Sequence, residues 1–220
     1  MKRLVVHTAD GSTSIHLPDW NESYHSKHGA IQEAQHVFIK NGLDLFQNQA
    51  LSILEIGFGT GLNGFITLLE SPKRQLTVDY IGVEAYPVLV EEWQHMNYVA
   101  ELHAHDQAPL FDQMHSCSWE QLIPLSPTFS LCKRQQRIQD IADEAQFNLI
   151  YFDAFGYRVQ PELWSDAIFR KMYASLKANG VLVTYAATGA VRRSMLAAGF
   201  SVEKLEGPPG KREMLRATKH

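Results

Sequence analysis

The 220-residue sequence predicts an α/β domain in which helices cover both faces of a mostly parallel sheet. The main observation is alternation, because short apolar segments of strand length alternate with segments whose apolar residues recur at helical spacing. The second observation is the tail, where two strand-like segments flank the turn residues 207–210 and would add an antiparallel strand. We therefore expect one domain over residues 1–220 with a Rossmann-like, seven-stranded sheet and an antiparallel C-terminal strand.

Residues 1–45 are expected to form an N-terminal extension, and residues 46–220 the core. Apolar residues 4–7 and 14–17 flank a turn, which predicts a strand pair. Apolar residues between 30 and 38 recur at helical spacing, so a helix should follow the strand pair.

The core is expected to alternate strands and helices as far as its closing hairpin. Strands are predicted at residues 51–56, 78–84, 129–132, 147–153, 181–185, 200–205 and 213–217. Helices are predicted at residues 62–69, 88–96, 161–177 and 190–198. Asn179 and Gly180 should end the third of these helices. Most of residues 100–135 reads as irregular structure with one short helix.

Composition limits the classes of function without choosing one. The net charge of -4 does not indicate a nucleic-acid binder, although a local basic patch is compatible with it. Cys117 and Cys132 do not make a disulfide framework, and the sequence contains neither a membrane-spanning apolar run nor a secretion signal. The expectation is a cytoplasmic protein that does not engage a membrane.

A glycine-rich turn after the first core strand is the default ligand site. It comprises Gly57, Phe58, Gly59, Thr60 and Gly61. Glycine lets a ligand approach the backbone closely, and ligands of parallel sheets bind beyond the carboxyl ends of the strands.

The pattern of this turn fits two cofactors. Residues 59–64 match a dinucleotide motif, and Glu84 at the end of the next strand suits the ribose of either cofactor. Glu55 favours S-adenosylmethionine, because a carboxylate would repel a pyrophosphate but attract a sulfonium and an ammonium group. The antiparallel tail also favours a class I S-adenosylmethionine-dependent methyltransferase. A dinucleotide-dependent oxidoreductase stays open as the alternative from a different class.

Two further acids are candidates for the same crevice. Asp153 ends an apolar strand, and Asp140 is placed to bond the adenine amino group, although either could instead cap a helix. His103, His105, His115 and Cys117 lack a recognised zinc spacing, so no metal is expected.

At these residues the sequence resembles the methyltransferase domain of the MnmC family. The resemblance extends over nearly the whole chain, in residues 29–38, 55–63, 152–155, 161–164, 184–187, 189–193 and 210–215. The segments 189–193 and 211–214 are the most specific of these. The loop 156–160 departs from the family pattern, and Arg158 is expected to replace the charge of a family lysine.

The resemblance implies methyl transfer to the 5-aminomethyl group of the wobble (2-thio)uridine in tRNA, giving 5-methylaminomethyl-2-thiouridine. A related methyltransferase for another RNA position or a small amine is the alternative. The implied partner is tRNA. At this length no flavin domain is expected in the chain, and separate enzymes would supply the aminomethyl substrate.

The candidate residues then take distinct roles. Asp153 would orient the amine or accept its proton. Glu55 and Gly57 would hold the methionine part of the cofactor, and Glu84 its ribose. Tyr24 and Phe155 would pack near the target base. The expected phosphate contacts are Arg192, Arg193, Lys211 and Arg212.

Overall fold

The computed structural model describes residues 2–220 and contains two sheets. The smaller, N-terminal sheet consists of β1 (Leu4–His7), β2 (Thr13–Leu17) and β3 (Glu22–Ser23). The strands of the larger sheet are β4 (Ala50–Ile56), β5 (Thr77–Val83), β6 (Ile123–Ser126), β7 (Phe129–Arg134), β8 (Phe147–Phe152), β9 (Leu176–Thr184), β10 (Ser201–Glu206) and β11 (Glu213–Thr218).

The larger sheet has the predicted mixed topology. Its strand order is β10-β11-β9-β8-β4-β5-β7-β6. Strands β7, β5, β4, β8 and β9 are parallel, whereas β11 runs antiparallel to both β9 and β10. The central strands β4 and β8 are apolar and largely buried, as expected for strands covered on both faces. The prediction of an antiparallel C-terminal strand is therefore confirmed.

The sheet contains eight strands rather than the seven predicted. The additional strand is β6, which pairs antiparallel with β7 at the sheet edge. Its Pro124 argues against a strand in sequence analysis, but an edge strand tolerates proline because one side forms no ladder hydrogen bonds. The N-terminal extension likewise has three strands rather than two, because Glu22 and Ser23 pair with β2.

Seven α-helices accompany the two sheets in the described residues. They are α1 (Ala30–Ala34), α2 (Leu62–Glu70), α3 (Val90–Trp93), α4 (Tyr98–Glu101), α5 (Ala108–Ser116), α6 (Asp166–Ser175) and α7 (Gly189–Ala197). A π-helical segment, Gln35–Lys40, extends α1. No helix within residues 2–220 has the length and apolar character needed to cross a membrane.

The predicted helix boundaries are wrong in three places. The helix expected at residues 88–96 spans only Val90–Trp93. Residues 161–177 divide into a 3-10 turn, Pro161–Trp164, and α6. Asn179 and Gly180 lie inside β9 and do not cap a helix, because β9 already begins at Leu176. Asn179 has a φ of 60°, so a turn-like residue interrupts the strand where its register with β8 shifts.

The N-terminal sheet is joined to the core next to the carboxyl ends of the parallel strands. Arg3 donates to Glu92 at 2.9 Å and to the carbonyl oxygen of Pro87 at 3.1 Å. The backbone N–H of Thr13 donates to Asn97 at 2.8 Å. Since Pro87 follows β5 closely, these contacts place the small sheet over the crevice where ligands of such folds bind.

Candidate cofactor and substrate site

A cavity of about 340 Å³ lies at the carboxyl ends of β4, β5 and β8. One wall comes from the turns that follow these strands, including residues 56–60, 83–86 and 153–154. The opposite wall is the segment 22–25 together with Trp20 and with Phe155, whose ring packs against Trp20 and Tyr24. We call these two walls the sheet edge and the cover.

The backbone conformation of the glycine turn requires glycine. Gly57, Gly59 and Gly61 have φ values of +87°, +48° and +73°, a region that side chains rarely adopt. A Cβ atom on Gly57 would lie 2.7 Å from the carbonyl oxygen of Asp153, so the two turns touch through their backbones. Gly57, Phe58, Gly59 and Thr60 line the cavity, whereas Gly61 precedes α2 beneath it.

Glu84 is held rigidly at the cavity wall. Its Oε2 accepts from the N–H of Gly59 at 3.0 Å, and its Oε1 accepts from the N–H of Tyr86 at 2.9 Å. Each carboxylate oxygen keeps lone pairs for a further donor. This geometry suits acceptance from two neighbouring hydroxyl groups, as a ribose presents them.

Glu55 does not occupy its expected place. Its side chain is fully buried beneath the cavity, where it accepts from Asn63 Nδ2 at 2.9 Å and from the Tyr80 hydroxyl at 2.9 Å. Burial raises the pKa of this carboxyl well above its usual value. The expected direct contact with a cofactor is therefore corrected, because the side chain of this strand residue points inward and meets the site only through Asn63.

Asn63 is a site residue that sequence reasoning missed. Its Nδ2 donates to Glu55 and also to Asp153, the latter at 2.8 Å. Its Oδ1 is buried and has no hydrogen-bond partner within residues 2–220. Asn63 lines the cavity, so this oxygen is an unused acceptor for an ammonium group of a ligand. The residues present thus fit a cationic methyl donor. The signal in the sequence was a polar residue on the buried face of a helix that follows a glycine turn.

Asp153 lines the cavity at the end of β8, as predicted. Burial of its carboxyl, together with the nearby Glu33 and against the opposing effects of the Asn63 hydrogen bond and Lys211, raises its pKa to about 7. A carboxyl with this pKa exchanges protons near neutral pH. That property suits a general base better than the ordinary aspartate assumed from sequence.

The cover is aromatic. Tyr24 and Phe155 both line the cavity, and their rings meet edge to face with centroids 5.1 Å apart. Trp20 packs against Phe155 in the same way, at 5.6 Å. The structure therefore brings the two predicted aromatic residues together with Asp153.

Two other predicted residues lie outside the cavity. Asp140 is exposed at the end of a 3-10 turn, and the preceding residues 136–139 line the cavity in its place. Arg158 is also exposed and pairs with Glu22 at 2.9 Å, because its loop folds back on the N-terminal sheet. It joins the cover to the loop after β8 and does not face the cavity.

The predicted phosphate contacts are not equivalent. Lys211 forms an ion pair with Glu33, and its Nζ lies 3.8 Å from the centroid of the Tyr185 ring. Its ammonium group is thus committed to contacts within the protein, which corrects the expectation of a free cation. Arg212 and Arg193 are exposed, and Arg192 is partly buried. Arg137, which the sequence analysis did not single out, lines the cavity.

Two further cavity residues were missed. The hydroxyl of Tyr185, just after β9, donates to the carbonyl oxygen of Ala154 at 2.8 Å. His25 contacts Ser14 Oγ through its Nδ1 at 3.0 Å, and burial lowers the pKa of its imidazole to about 4. Tyr185 lies in the segment 184–187, which resembles the MnmC family, but neither that segment nor the surroundings of His25 indicate a role at the site, so only their positions in the fold reveal them.

Comparison with known proteins agrees with this geometry. Residues 126–220 match a family model described as S-adenosyl-L-methionine-dependent methyltransferase. A solved structure of MNMC2 from Aquifex aeolicus superposes with a TM-score of 0.76 at 23% identity, covering 100% of this chain and 70% of the other. Spermidine synthase from Thermotoga maritima shares the fold more distantly, with a TM-score of 0.53 at 13% identity, covering 98% of this chain and 72% of the other.

The sequence relatives are bifunctional MnmC proteins of tRNA 5-methylaminomethyl-2-thiouridine biosynthesis. The Cupriavidus metallidurans protein is 31% identical over 218 residues, which cover 90% of this chain and 31% of the relative. The Burkholderia mallei protein is 30% identical over 230 residues, which cover 96% of this chain and 34% of the relative. The chain spans about a third of the length of these relatives.

Fold, glycine turn and family match together define the class of protein. The chain is an S-adenosylmethionine-dependent methyltransferase with a Rossmann-like fold. The predicted resemblance to the MnmC family is confirmed by relatives that align with nearly the whole chain. The dinucleotide-dependent oxidoreductase considered above is accordingly set aside.

Proposed function

We propose that the chain transfers a methyl group from S-adenosylmethionine to the 5-aminomethyl group of the wobble (2-thio)uridine in tRNA. The observation that carries this proposal is Asp153, a carboxyl with a pKa of about 7 at the sheet edge, facing an aromatic cover. The names of the sequence relatives support the choice of tRNA as the partner.

The charge of the cavity favours an amine as the acceptor. Glu22, Glu84, Asp153 and Glu162 line it, whereas Arg137 is the one Lys or Arg side chain among its lining residues. Such a cavity attracts cations and disfavours a phosphate in its interior. A base carrying an aminomethyl group satisfies this charge pattern, with the tRNA phosphates remaining outside.

We assign the cofactor contacts from the same wall. Glu84 takes the ribose hydroxyls, and the backbone of Gly57, Phe58, Gly59 and Thr60 packs against the cofactor. The unpartnered Oδ1 of Asn63 accepts from the α-ammonium group of the methionine part. Glu55 supports this contact from below, because its hydrogen bond fixes the orientation of the Asn63 amide.

The chemistry divides between the cofactor and the chain. When bound, S-adenosylmethionine would supply a sulfonium methyl group for the amine lone pair, with the electrons of the broken C–S bond returning to sulfur. Asp153 accepts a proton from the amine, either before transfer to free the lone pair or from the methylated ammonium product. The sheet edge holds the reactants in line, which supplies much of the rate.

The cover contributes the contacts to the base. Tyr24 and Phe155 offer aromatic faces and edges next to Asp153, as proteins use for bases extruded from single-stranded loops. The proposed phosphate contacts are Arg137 at the cavity and Arg193 and Arg212 on the surface. A tRNA substrate implies action in the cytoplasm. Because methyl transfer cannot install the amine, a separate reaction must first place the aminomethyl group on the uridine.

Nucleoside mass spectrometry tests this function. Protein and methyl-labelled S-adenosylmethionine are incubated with tRNA that carries 5-aminomethyl-2-thiouridine, and in parallel with free polyamines. We expect the label on the aminomethyl nucleoside alone. Label on another nucleoside, or on the polyamines only, would refute the proposed substrate.

A further inference from the structure

Two sequence segments that carry the family resemblance meet beside the cavity. One is residues 29–38 and contains Glu33 on α1; the other is residues 210–215 and contains Lys211 before β11. Glu33 and Lys211 are 178 positions apart in the chain, yet their side chains form an ion pair. Neither residue lines the cavity, so the role of this pair is distinct from ligand contact.

Glu33 is more than a partner for Lys211. The residue is only 7% exposed, and its Oε2 accepts from the N–H of Ser26 at 2.9 Å. Ser26 follows Tyr24 and His25 directly, so this hydrogen bond holds the end of the cover. The same carboxylate therefore anchors one wall of the cavity and an ammonium group behind it.

Lys211 connects the pair to the opposite wall. Its Nζ lies 3.8 Å from the centroid of the Tyr185 ring, a cation–π contact that fixes the ring plane. Tyr185 in turn donates to the carbonyl oxygen of Ala154, the residue after Asp153. A continuous set of contacts thus runs from Ser26 through Glu33, Lys211 and Tyr185 to the backbone beside Asp153.

We propose that the Glu33–Lys211 ion pair is a positioning element for the methyl transfer: it aligns the Tyr185 ring and the backbone at Ala154, and it sets the charge that the Asp153 carboxyl faces. The inference rests on the proposed function in treating Asp153 as the proton acceptor. It adds two residues that touch neither substrate nor cofactor and act through Asp153.

Glu33 and Lys211 act on the Asp153 carboxyl with opposite signs. Besides Asn63, the groups facing Asp153 are Glu55 on β4, Tyr80 on β5, Tyr185 after β9, Glu33 and Lys211. Among these, Glu33 raises the pKa of Asp153 and Lys211 lowers it. Removing the two charges one at a time must therefore move the proton affinity of Asp153 in opposite directions, which a purely structural ion pair would not do.

The experiment compares Lys211→Met, Glu33→Gln and the double variant with the parent protein. The ¹³Cγ resonance of Asp153, assigned with Asp153→Asn, is titrated by NMR in the absence of cofactor and tRNA, and kcat is measured against pH with aminomethyl tRNA. We expect Lys211→Met to shift the titration and the acidic limb of kcat upward by on the order of one pH unit, which lowers kcat at pH 7 about fivefold. Glu33→Gln should shift both downward, and the double variant should lie between them.

Matched variants separate this role from folding. Lys204→Met removes the same charge from the same hairpin but breaks only the exposed Lys204–Glu213 pair, so its titration should match that of the parent protein. Lys211→Arg keeps the charge and should retain the parental profile. Thermal unfolding checks that each variant is folded at the temperature of the titration.

Two results would overturn the inference: shifts of the same sign for Lys211→Met and Glu33→Gln, or no shift of either in folded protein. Because the NMR titration needs no methyl transfer, it decides this question even if aminomethyl tRNA is not methylated. Failure of methylation with opposite titration shifts would instead reject the proposed substrate and leave the positioning role intact.

Discussion

The two walls of the cavity are built in different ways. The sheet edge is held mainly by backbone hydrogen bonds, such as those from the N–H of Gly57 to the carbonyl oxygen of Val83 and from the N–H of Asp153 to that of Ile56. The cover is held by side chains that reach across the chain, such as the exposed pair of Arg158 and Glu22. Backbone geometry tolerates little change, whereas exposed side-chain pairs contribute little energy each. We therefore expect the sheet edge to fix the cofactor and the cover to adapt to the substrate.

The largest expected effect is at Asp153, where the two walls meet. Asp153→Ala should lower kcat by about 10²–10⁴-fold, the range for loss of a general base, because no other carboxyl in the cavity shares the Asn63 hydrogen bond. The dissociation constant of S-adenosylmethionine, measured by calorimetry, should change far less. Asp140→Ala is the control and should leave kcat unchanged, since Asp140 lies outside the cavity. Equal losses for the two variants would remove Asp153 from the mechanism.

A comparison of two glycines tests the rigidity of the sheet edge. Gly57→Ala places a Cβ atom 2.7 Å from a backbone oxygen at a φ of +87°, so the free energy of unfolding should fall by about 1–3 kcal/mol. Cofactor affinity should fall with it. At Gly156, in the loop after β8, the nearest atom to a Cβ is the Tyr185 hydroxyl oxygen at 3.8 Å. Gly156→Ala should therefore leave stability and cofactor binding close to parental values. A similar loss of stability in both variants would contradict the rigidity that we assign to the sheet edge at Gly57.

Acid should destabilise both walls through two neutral histidines. Burial lowers the pKa of His25 in the cover to about 4 and that of His115, on α5 beneath the sheet edge, to about 3. Both values lie below the ordinary value of about 6.5, so the unfolded chain binds more protons at acidic pH. The stability contribution is complete above about pH 6.5 and falls as pH drops toward 4, by about 1.4 kcal/mol per pH unit for each histidine.

Denaturant unfolding between pH 7 and 5 measures this dependence. His25→Asn and His115→Gln should each make the free energy of unfolding less dependent on pH. The larger change identifies the wall that acid destabilises more. His95 is exposed, so His95→Gln is a control that should not flatten the pH profile. A profile that stays as steep in both test variants would mean that these imidazoles accept protons in the folded state.

The smallest expected effect is at the link between the cover and the loop after β8. Arg158→Ala removes an ion pair in which the arginine side chain is 65% exposed, so the free energy of unfolding should change by less than about 1 kcal/mol. The KM for tRNA should change more than kcat, because the loop borders the aromatic cover. A large loss of stability would show that the cover is as rigid as the sheet edge.

The same contrast explains what the sequence could predict. The parallel sheet, the glycine turn, Glu84 and Asp153 were predictable, because local motifs and strand ends determine where they lie. Glu55 and Asp140 were assigned to the cofactor from motif position alone, and their side-chain directions depend on packing that no local pattern encodes. Asn63, Tyr185 and the Glu33–Lys211 pair needed the fold, since their partners are distant in the chain.

A crystal structure with S-adenosylhomocysteine bound tests the proposed site most directly. We expect the ribose hydroxyls on Glu84, the α-ammonium group on Asn63 Oδ1, and the sulfur facing the side of the cavity that holds Asp153. A ligand bound outside this cavity, or inside it with the sulfur turned away from Asp153, would contradict the assignment of Glu84, Asn63 and Asp153 to the site.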